Sequence, residues 1–484
     1  MDSAKAGYRN FRILSEEQCQ QIHLASLEIL RRTGIRVMDP EAVRLLADAG
    51  AEVEQGDRVH IPAYLVEWGL RAAPKRVILS HRDQKRALWL EDRNVYFGTG
   101  SDCPYILDSI TGQRRKFLKE DVAQGIRLCD ALPNIDFVLS IGLISDVPTE
   151  VSDLHQFEAM VLNTTKPVVF TSHTPDNCRA MVEMAEVVAG GETELRRNPF
   201  IASFVEANPP LKINSKTARE ILYMAEKMLP VIFSCGPMMG VSGPQTHAGI
   251  IAQANAESLT GLLIMQLKRQ GAPFIYAQGV HPLDMRTTVL SYGAPELSLN
   301  TGAAADLAHY YGLPVWGYAG CSDAKRVDQQ AAMEATASII MSVLTGNNLV
   351  HDVGYLESGL MSSFEMILLS DIAIEMTRHL LKPIQINEET LALDLIDKVG
   401  PGGNFLEEPH TLRHFREVWY HDLIDRKNHD GWLADGGLSM GERLNRHVKQ
   451  ILNTYQPSPV PFDQAQAIRT MVREVEQRLT RKGA

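Results

Sequence analysis

The stretch VIFSCGPMMGVSGPQTHAGIIAQANAESLTGLLIMQLKRQGAPFIYAQG, residues 231–279, decides the fold. A short apolar run, VIFSCG (231–236), gives way to a loop of glycine, proline and methionine. A helix-forming segment follows, HAGIIAQANAESLTGLLIMQLKRQG (247–271), rich in small residues and ended by Gly271. A second apolar run, PFIYAQG (273–279), then begins. Strand, helix and strand in this order make a βαβ unit.

The same rhythm extends in both directions. Upstream lie FVLSIG (137–142), VVFTSH (168–173) and FIASFVE (200–206); downstream lie LPVWGYAG (313–320) and NLVHDVG (348–354). Their starts fall about 30 to 40 residues apart, the period of a strand–helix unit. The helical segments VDQQAAMEATASIIMSVLTG (327–346) and FEMILLSDIAIEMTRHLL (364–381) follow the last two runs. Seven consecutive units predict an α/β fold of the (β/α)8 TIM-barrel type rather than an open sheet. Two segments compete for the eighth strand, VYFGTG (95–100) and IQI (384–386).

The flanks read differently. Residues 1–130 are expected to form a mixed α/β addition packed on the barrel. In it Ser15 and Gln18 make a capping-box pattern, Ile22, Ala25 and Ile29 follow at helical spacing, and Gly34 can end that helix. RVILSHRD and ALWLEDRNVYFGTG alternate as strands do. Residues 131–400 are assigned to the barrel and 401–484 to a C-terminal helical addition. Its acidic, helix-rich part, from about residue 405, suits a subunit interface, with a symmetric dimer the commonest default.

Composition narrows the function classes. The 484 residues are 45% hydrophobic and 22% charged, ordinary for a globular protein. A net charge of −11 argues against a nucleic-acid partner. The six cysteines form no C-x-x-C pair, which argues against structural zinc and fits a reducing cytosol. The opening MDSAKAGYRNFRIL has no apolar signal core. No apolar run reaches the length of about 18 residues that a membrane span needs. A cytoplasmic protein without a membrane partner is expected.

In such a barrel, functional groups gather at the carboxyl ends of the strands. These ends carry Ser172 and His173, Glu206 and Asn208, Cys235 to Gly243, Gln278 and His281, Tyr318 to Lys325, and His351 to Glu357. Each also has a plainer reading. His351 and Asp352 can be a loop hydrogen-bond pair, and Glu206 can pair with a lysine in the barrel mouth. Asp323 or Asp328 can cap the next helix. His173 and His281 can be structural, and His247 can simply start a helix. Tyr96, Phe97, Tyr105, Phe204, Tyr276, Trp316, Tyr318 and Tyr355 are core by default, yet aromatics at strand ends can form a box for a cation. The loop CGPMMGVSGP (235–244) lacks the spacing of a phosphate cradle. Its small residues let another surface approach the backbone, and its methionines offer an adaptable apolar face.

The motifs GPMMGVSGPQTHAG, AQANAESLTGLLIMQL, GYAGCSDAKRVDQQAAMEA and NLVHDVGYLESGL, with VYFGTGSDCPYILD near residue 100 and HTLRHFREVWYHDLIDR near residue 415, resemble the trimethylamine methyltransferase family. The likeness runs in order over nearly the whole chain. It implies a (β/α)8 barrel that moves a methyl group from a methylamine to the cobalt(I) of a corrinoid (cobalamin type) held on a separate small protein. Trimethylamine-specific members carry pyrrolysine, whereas this chain has only the twenty standard residues. The resemblance therefore implies the branch acting on quaternary amines. Glycine betaine is its best-known substrate; proline betaine, carnitine and γ-butyrobetaine are others.

For that chemistry, position at the barrel mouth makes His351 and Glu206 the expected catalytic-site pair, His351 binding the betaine carboxylate and Glu206 facing the ammonium. Phe97, Tyr96, Tyr105, Tyr355 and Gln278 are the expected substrate contacts. Gly236, Met238, Met239 and Gly240 are expected to meet the corrinoid. No metal site and no tightly bound cofactor are expected. The protein's task would be orientation, since cobalt(I) is the nucleophile and a quaternary amine leaves as a neutral tertiary amine. Two other readings remain open: a barrel hydrolase or lyase using Glu206, His351 and Asp323 as acid, base or metal ligands, and a scaffold that binds the corrinoid protein without turnover.

Overall fold

The apolar runs become strands, and their alternation decides what each residue faces. The computed structural model of the chain describes residues 11–483. The opening decapeptide, and with it most of the stretch inspected for a signal core, lies outside them. Seven parallel strands form one sheet in the spatial order Tyr96–Phe97, Leu349–His351, Val315–Tyr318, Phe274–Ala277, Val231–Ser234, Ile201–Glu206, Val168–Phe170. The segment at Phe137–Val138 bridges the two edges. Gly98 pairs in parallel with Phe137, and Val138 pairs in parallel with Val168. The backbone N–H of Val169 donates to Val138 O at 2.9 Å, and that of Asp136 donates to Phe97 O at 2.6 Å. The sheet thereby closes as an eight-membered TIM-type barrel.

Of the two candidates for the remaining strand, VYFGTG holds the place and IQI does not. Ile384 and Ile386 are 81% and 77% exposed and lie in no strand. The barrel thus takes its first strand from within residues 1–130. Eight helices follow the eight strand positions in order, from Lys119–Ala131 to Phe364–Leu380.

Inward positions carry Ala202, Phe204, Ile232, Ile275, Ala277, Trp316 and Leu349, which form one apolar cluster. Outward neighbours such as Val205, Phe233, Tyr276 and Val350 pack under the helices in a larger core. The hairpin Val77–Ser80 with Ala87–Leu90 adds Leu79, Leu88 and Leu90 to the inner cluster. It plugs the amino-terminal end and leaves only the opposite end open.

The Ser15–Gln18 capping box forms, and Gly34, at φ 69°, follows the end of helix Glu16–Arg32. That helix and Ala63–Ala72 lie on helix His247–Lys268, which is buried continuously from Ile250 to Gln266. Burial on every side explains why that helix is built of small and apolar residues. At the other end of the chain, Met440–Thr454 packs on Phe364–Leu380 and Lys119–Ala131, and Phe462–Gly483 on Pro175–Ala189 and Ser152–Asn163. Between them, the short helices Glu388–Leu391, Leu393–Val399, Pro409–His414, Phe415–Glu417 and His429–Ala434 bury no residue of their own. No helix among the described residues is long and apolar enough to cross a membrane.

Candidate active site

Strand alternation builds the barrel mouth. Two residues beyond the inner cluster, Glu206, Ser234, Gly279, Tyr318 and His351 take the inward positions, and Gly236 and Gly100 follow on their own strands. Three of these positions are glycine. A Cβ on Gly236 would meet only Gly279 O, at 3.8 Å. A Cβ on Gly100 would collide with the Asp352 carboxylate and the Tyr355 phenol, and one on Gly279 with the Tyr318 phenol. Only Gly236 leaves a hollow at the open end; the space beside Gly100 and Gly279 is taken by the Asp352, Tyr355 and Tyr318 side chains.

Three carboxyl groups bound it. Glu206 and Asp102 are both reachable by water, yet protein surrounds each of them and burial is the largest influence on their acidity. Together these facts describe carboxyl groups lining an internal space. Burial, then the charge of Asp102, pushes Glu206 up to about 7. Asp352 is 1% exposed, and neither of its carboxylate oxygens has a hydrogen-bond partner. Burial, then Asp102 and Glu206, pushes it well above the usual carboxylate range. The one cation acting on Glu206 is Lys216, whose ammonium stands 3.9 Å from Glu220 at the outer edge.

Aromatic rings form the remaining wall. His351 lies 4.3 Å from Trp316, 4.4 Å from Tyr318 and 5.9 Å from Phe204, between ring centroids. His281 continues the wall at 5.2 Å from Tyr318 and 5.3 Å from Tyr292, and Tyr292 meets Tyr355 at 6.3 Å. The Tyr355 phenol oxygen accepts the Asp102 backbone N–H at 2.7 Å, which fixes both residues. Asp323 accepts the backbone N–H groups of Tyr292 and Gly293 at 2.8 and 3.0 Å and the Ser358 hydroxyl. It holds the Tyr292 loop in place. Asp328, the other aspartate of that segment, caps the next helix.

In this structure the His351 ring is turned to a protein carbonyl. Its Nδ1 lies 2.9 Å from Gly317 O, and a carbonyl can only accept, so Nδ1 carries the proton. Burial pushes the imidazole down to about 3, so the ring is neutral. Nε2 therefore presents a lone pair, toward Asp352 Oδ1 at 3.3 Å. With the ring neutral, its one N–H is taken by Gly317, and His351 stands in the wall beside Asp352.

Tyr355 is fully buried with its phenol beside Gly100, while Glu206 is exposed at the mouth. The other expected substrate contacts lie away from the hollow. Phe97 is an outward residue, fully buried, with the Arg378 guanidinium over its ring at 5.8 Å. Tyr96 points inward but belongs to the lower cluster, where its phenol oxygen accepts the Trp89 backbone N–H at 3.2 Å. The Tyr105 ring is already covered by Arg114 at 3.4 Å and flanked by Lys116 at 4.6 Å. Gln278 shares the outward face with Tyr276; its amide donates to the Tyr276 phenol, which donates to Asn255 at 2.7 Å. In the loop, Met239 N–H donates to His281 O at 3.0 Å, and Met238 N–H to the Ser242 hydroxyl at 2.9 Å. Gly236, Met238, Met239 and Gly240, the four residues expected to meet the corrinoid, thus sit beside the mouth. Glu206, His351 and Asp323 do not converge as metal ligands; among the described residues only Glu389, His410 and His414, far along the chain, bring three ligand atoms within 4.8 Å.

A profile of the family described as "Trimethylamine methyltransferase (MTTB)" matches residues 1–480. The chain belongs to the trimethylamine methyltransferase family. A trimethylamine methyltransferase of Desulfitobacterium hafniense (strain DSM 10664 / DCB-2) is 33% identical over 463 residues, 96% of this chain and 93% of the relative. A glycine betaine methyltransferase of Desulfitobacterium hafniense (strain Y51) is 32% identical, covering 92% of this chain and 93% of the relative. The crystal structure of the monomethylamine methyltransferase of Methanosarcina barkeri shares the fold, with a TM-score of 0.51, 13% identity, and coverage of 90% and 86% of the two chains. This family member is thus an enzyme of methyl transfer built on a TIM-type barrel.

Asp102, Tyr292, Gly100 and Gly279 escaped the sequence reading of this methyltransferase, which did name Gly236. Asp102 had a usable signal: it follows the strand end VYFGTG, so taking that strand as the first of the barrel brings it to the mouth. Tyr292 had none, because it reaches the wall from a loop.

Proposed function

We propose that this protein moves a methyl group from a quaternary ammonium compound to the cobalt(I) of a corrinoid carried by a separate small protein, with glycine betaine, yielding dimethylglycine, as the reference substrate. Proline betaine, carnitine and γ-butyrobetaine are the alternatives in that class. The observation that carries this reading is the hollow itself, which joins aromatic rings to carboxyl groups with no cationic side chain between them. A cation against an aromatic face gains about 0.5–2 kcal/mol. An ionised Glu206 adds a Coulomb term, strengthened by the protein around it.

The protein's part is binding and aim. Phe204 and Tyr318 would hold the ammonium, Glu206 would offset its charge, and the floor would fix one N–CH3 bond toward the mouth. When docked, cobalt(I) supplies the nucleophile. The N–C bond breaks with its electron pair staying on nitrogen, so a neutral tertiary amine departs and no general acid is needed. The loop Cys235–Gly243 fits a flat corrinoid face: it is rich in glycine, and the space above Gly236 is open. Docking there by the corrinoid protein, a cytoplasmic setting, a homo-oligomer and a C-terminal helical addition over 401–484 belong to the same proposal, whereas the boundary at residue 130 gives way to a barrel that begins at Tyr96.

The test is to mix the protein with reduced cob(I)alamin and each quaternary amine, following loss of the cobalt(I) absorption and formation of the tertiary amine. Loss that requires both protein and amine supports the assignment. No protein-dependent loss with any of the compounds, corrinoid protein included, overturns it.

A further inference from the structure

We propose a divalent-metal site beyond the barrel, held by Glu389, His410 and His414 and suited to zinc(II). It shares no residue with the barrel mouth, so it stands or falls independently of methyl transfer.

Both histidines belong to the helix Pro409–His414. Residues four apart share one face of a helix, and the two rings are 4.3 Å apart between centroids. Glu389 reaches them from a second short helix, Glu388–Leu391. One ligand atom from each of the three residues lies within 4.8 Å of the others. Glu389 Oε1 is 3.3 Å from His414 Nε2, and Glu389 O is 3.1 Å from His410 Nε2. Atoms bound at about 2.0–2.1 Å to a tetrahedral zinc ion stand roughly 3.3 Å apart, so the group needs little adjustment to enclose one. At His410 the metal would replace the hydrogen between Nε2 and Glu389 O, which a neutral ring allows by changing tautomer.

The groups around the three ligands favour the same reading. His414 Nδ1 lies 2.5 Å from Glu417 Oε1, and a carboxylate oxygen accepts. The Nδ1 proton therefore faces Glu417, and Nε2 of the neutral ring directs a lone pair at Glu389. A lone pair and a carboxylate oxygen at that separation repel each other unless a proton or a metal ion lies between them. A carboxylate behind a ligating histidine is the usual orienting partner at a metal site. Arg413 donates to the same Glu389 oxygen at 2.7 Å and steadies the carboxylate.

The two helices also need a clamp. Neither buries a residue of its own, and helices this short are unstable alone. The Arg413–Glu389 pair that joins them is exposed on both sides, so it contributes little. A metal ion bonded to both would fix one helix against the other. Two imidazole nitrogens and one carboxylate oxygen suit zinc(II) and leave a position for water.

The test uses the untagged full chain, stripped with a chelator and desalted. Cobalt(II) is titrated in, its visible absorption reporting the coordination, and zinc(II) is then added in competition. We expect one zinc(II) per chain to displace the cobalt spectrum. His410→Ala and His414→Ala should each weaken zinc affinity at least tenfold, and Glu417→Ala about tenfold through loss of orientation. His429→Ala, outside the cluster, should change nothing. Zinc(II) should also slow tryptic cleavage after Lys398 at least threefold in wild type and leave it unchanged in His414→Ala. Melting temperatures confirm that the variants fold, and Glu389→Gln replaces any that does not. A chain that gives no cobalt spectrum and retains no zinc(II) would overturn the proposal, with His414 then bridging Glu389 and Glu417 as an imidazolium. Zinc binding that survives both histidine variants would place the metal elsewhere and overturn it equally. Unchanged affinity in Glu417→Ala would overturn the orienting role of that residue.

Discussion

Glu206 is the residue through which pH should act on the site. Its carboxyl is pushed up to about 7, first by burial and then by Asp102. Below that value it holds a proton and gives a cation nothing; above it the charge is available. Affinity for a quaternary ammonium should therefore rise between pH 6 and pH 8, by roughly tenfold if one charge is worth about 1.4 kcal/mol. Asp102, Asp352 and Lys216 face the same group, so the midpoint follows all of them. Calorimetric titration across that range checks the trend, and Glu206→Gln should flatten it. Gly236 makes the complementary case. Its backbone needs no glycine-only conformation and its Cβ position is open. Gly236→Val should keep the melting temperature within a few degrees and raise KM at least tenfold, because it fills the hollow without straining the scaffold. A large drop in melting temperature would instead place Gly236 in the packed structure.

At the scale of elements, the vulnerable point is where the barrel closes. The first strand is two residues long, and its junction with Phe137–Val138 is made of single bridges. Arg378, from the last barrel helix, braces it. Its guanidinium donates to Asn134 Oδ1 and Asp136 Oδ2, each at 2.9 Å, and Asp136 Oδ2 accepts the Phe97 N–H at 2.9 Å. Removing one partner of a buried ion pair costs about 3–5 kcal/mol. Arg378→Ala should destabilise the protein by that order, with hydrogen exchange rising first at residues 96–98 and 136–138. The same junction marks where the sequence stops being legible. Seven runs and their helices announce themselves by length and period. A strand of two residues has no period to read, and so Asp102 at its end went unnoticed. Parity accounts for the other misses. Phe97 and Gln278 alternate outward, and the partners that settle this, Arg378 and Tyr276, lie on another element or within the same short run. Glu206 was legible because its strand is long enough to show that Ala202, Phe204 and Glu206 share one face.

On the scale of the whole molecule, two parts differ in how they are held. The barrel is buried against helices on every side. The segment from about residue 383 to 417 exposes Ile384, Ile386, Leu393, Leu406 and Leu412, each by more than two thirds, and its helices bury nothing. Anchoring resumes at Trp419, whose indole donates to Glu375 at 2.9 Å. Segments with few buried contacts open at low free energy. Limited proteolysis of the isolated chain should cut first within residues 384–417 and leave the barrel intact, as intact-mass measurement would show. Protection equal to that of the barrel would mean that another chain covers this surface in solution.

The glycines of the mouth have a consequence for inheritance as well as for binding. From any glycine codon, one base change reaches alanine, valine, arginine or an acidic residue. At Gly236 such a change meets open space, so a single mutational step can reshape what the hollow admits without first finding a compensating change in the scaffold. Selection on substrate range can then act at that position almost independently of selection on folding. Related barrels with different diets need differ little elsewhere.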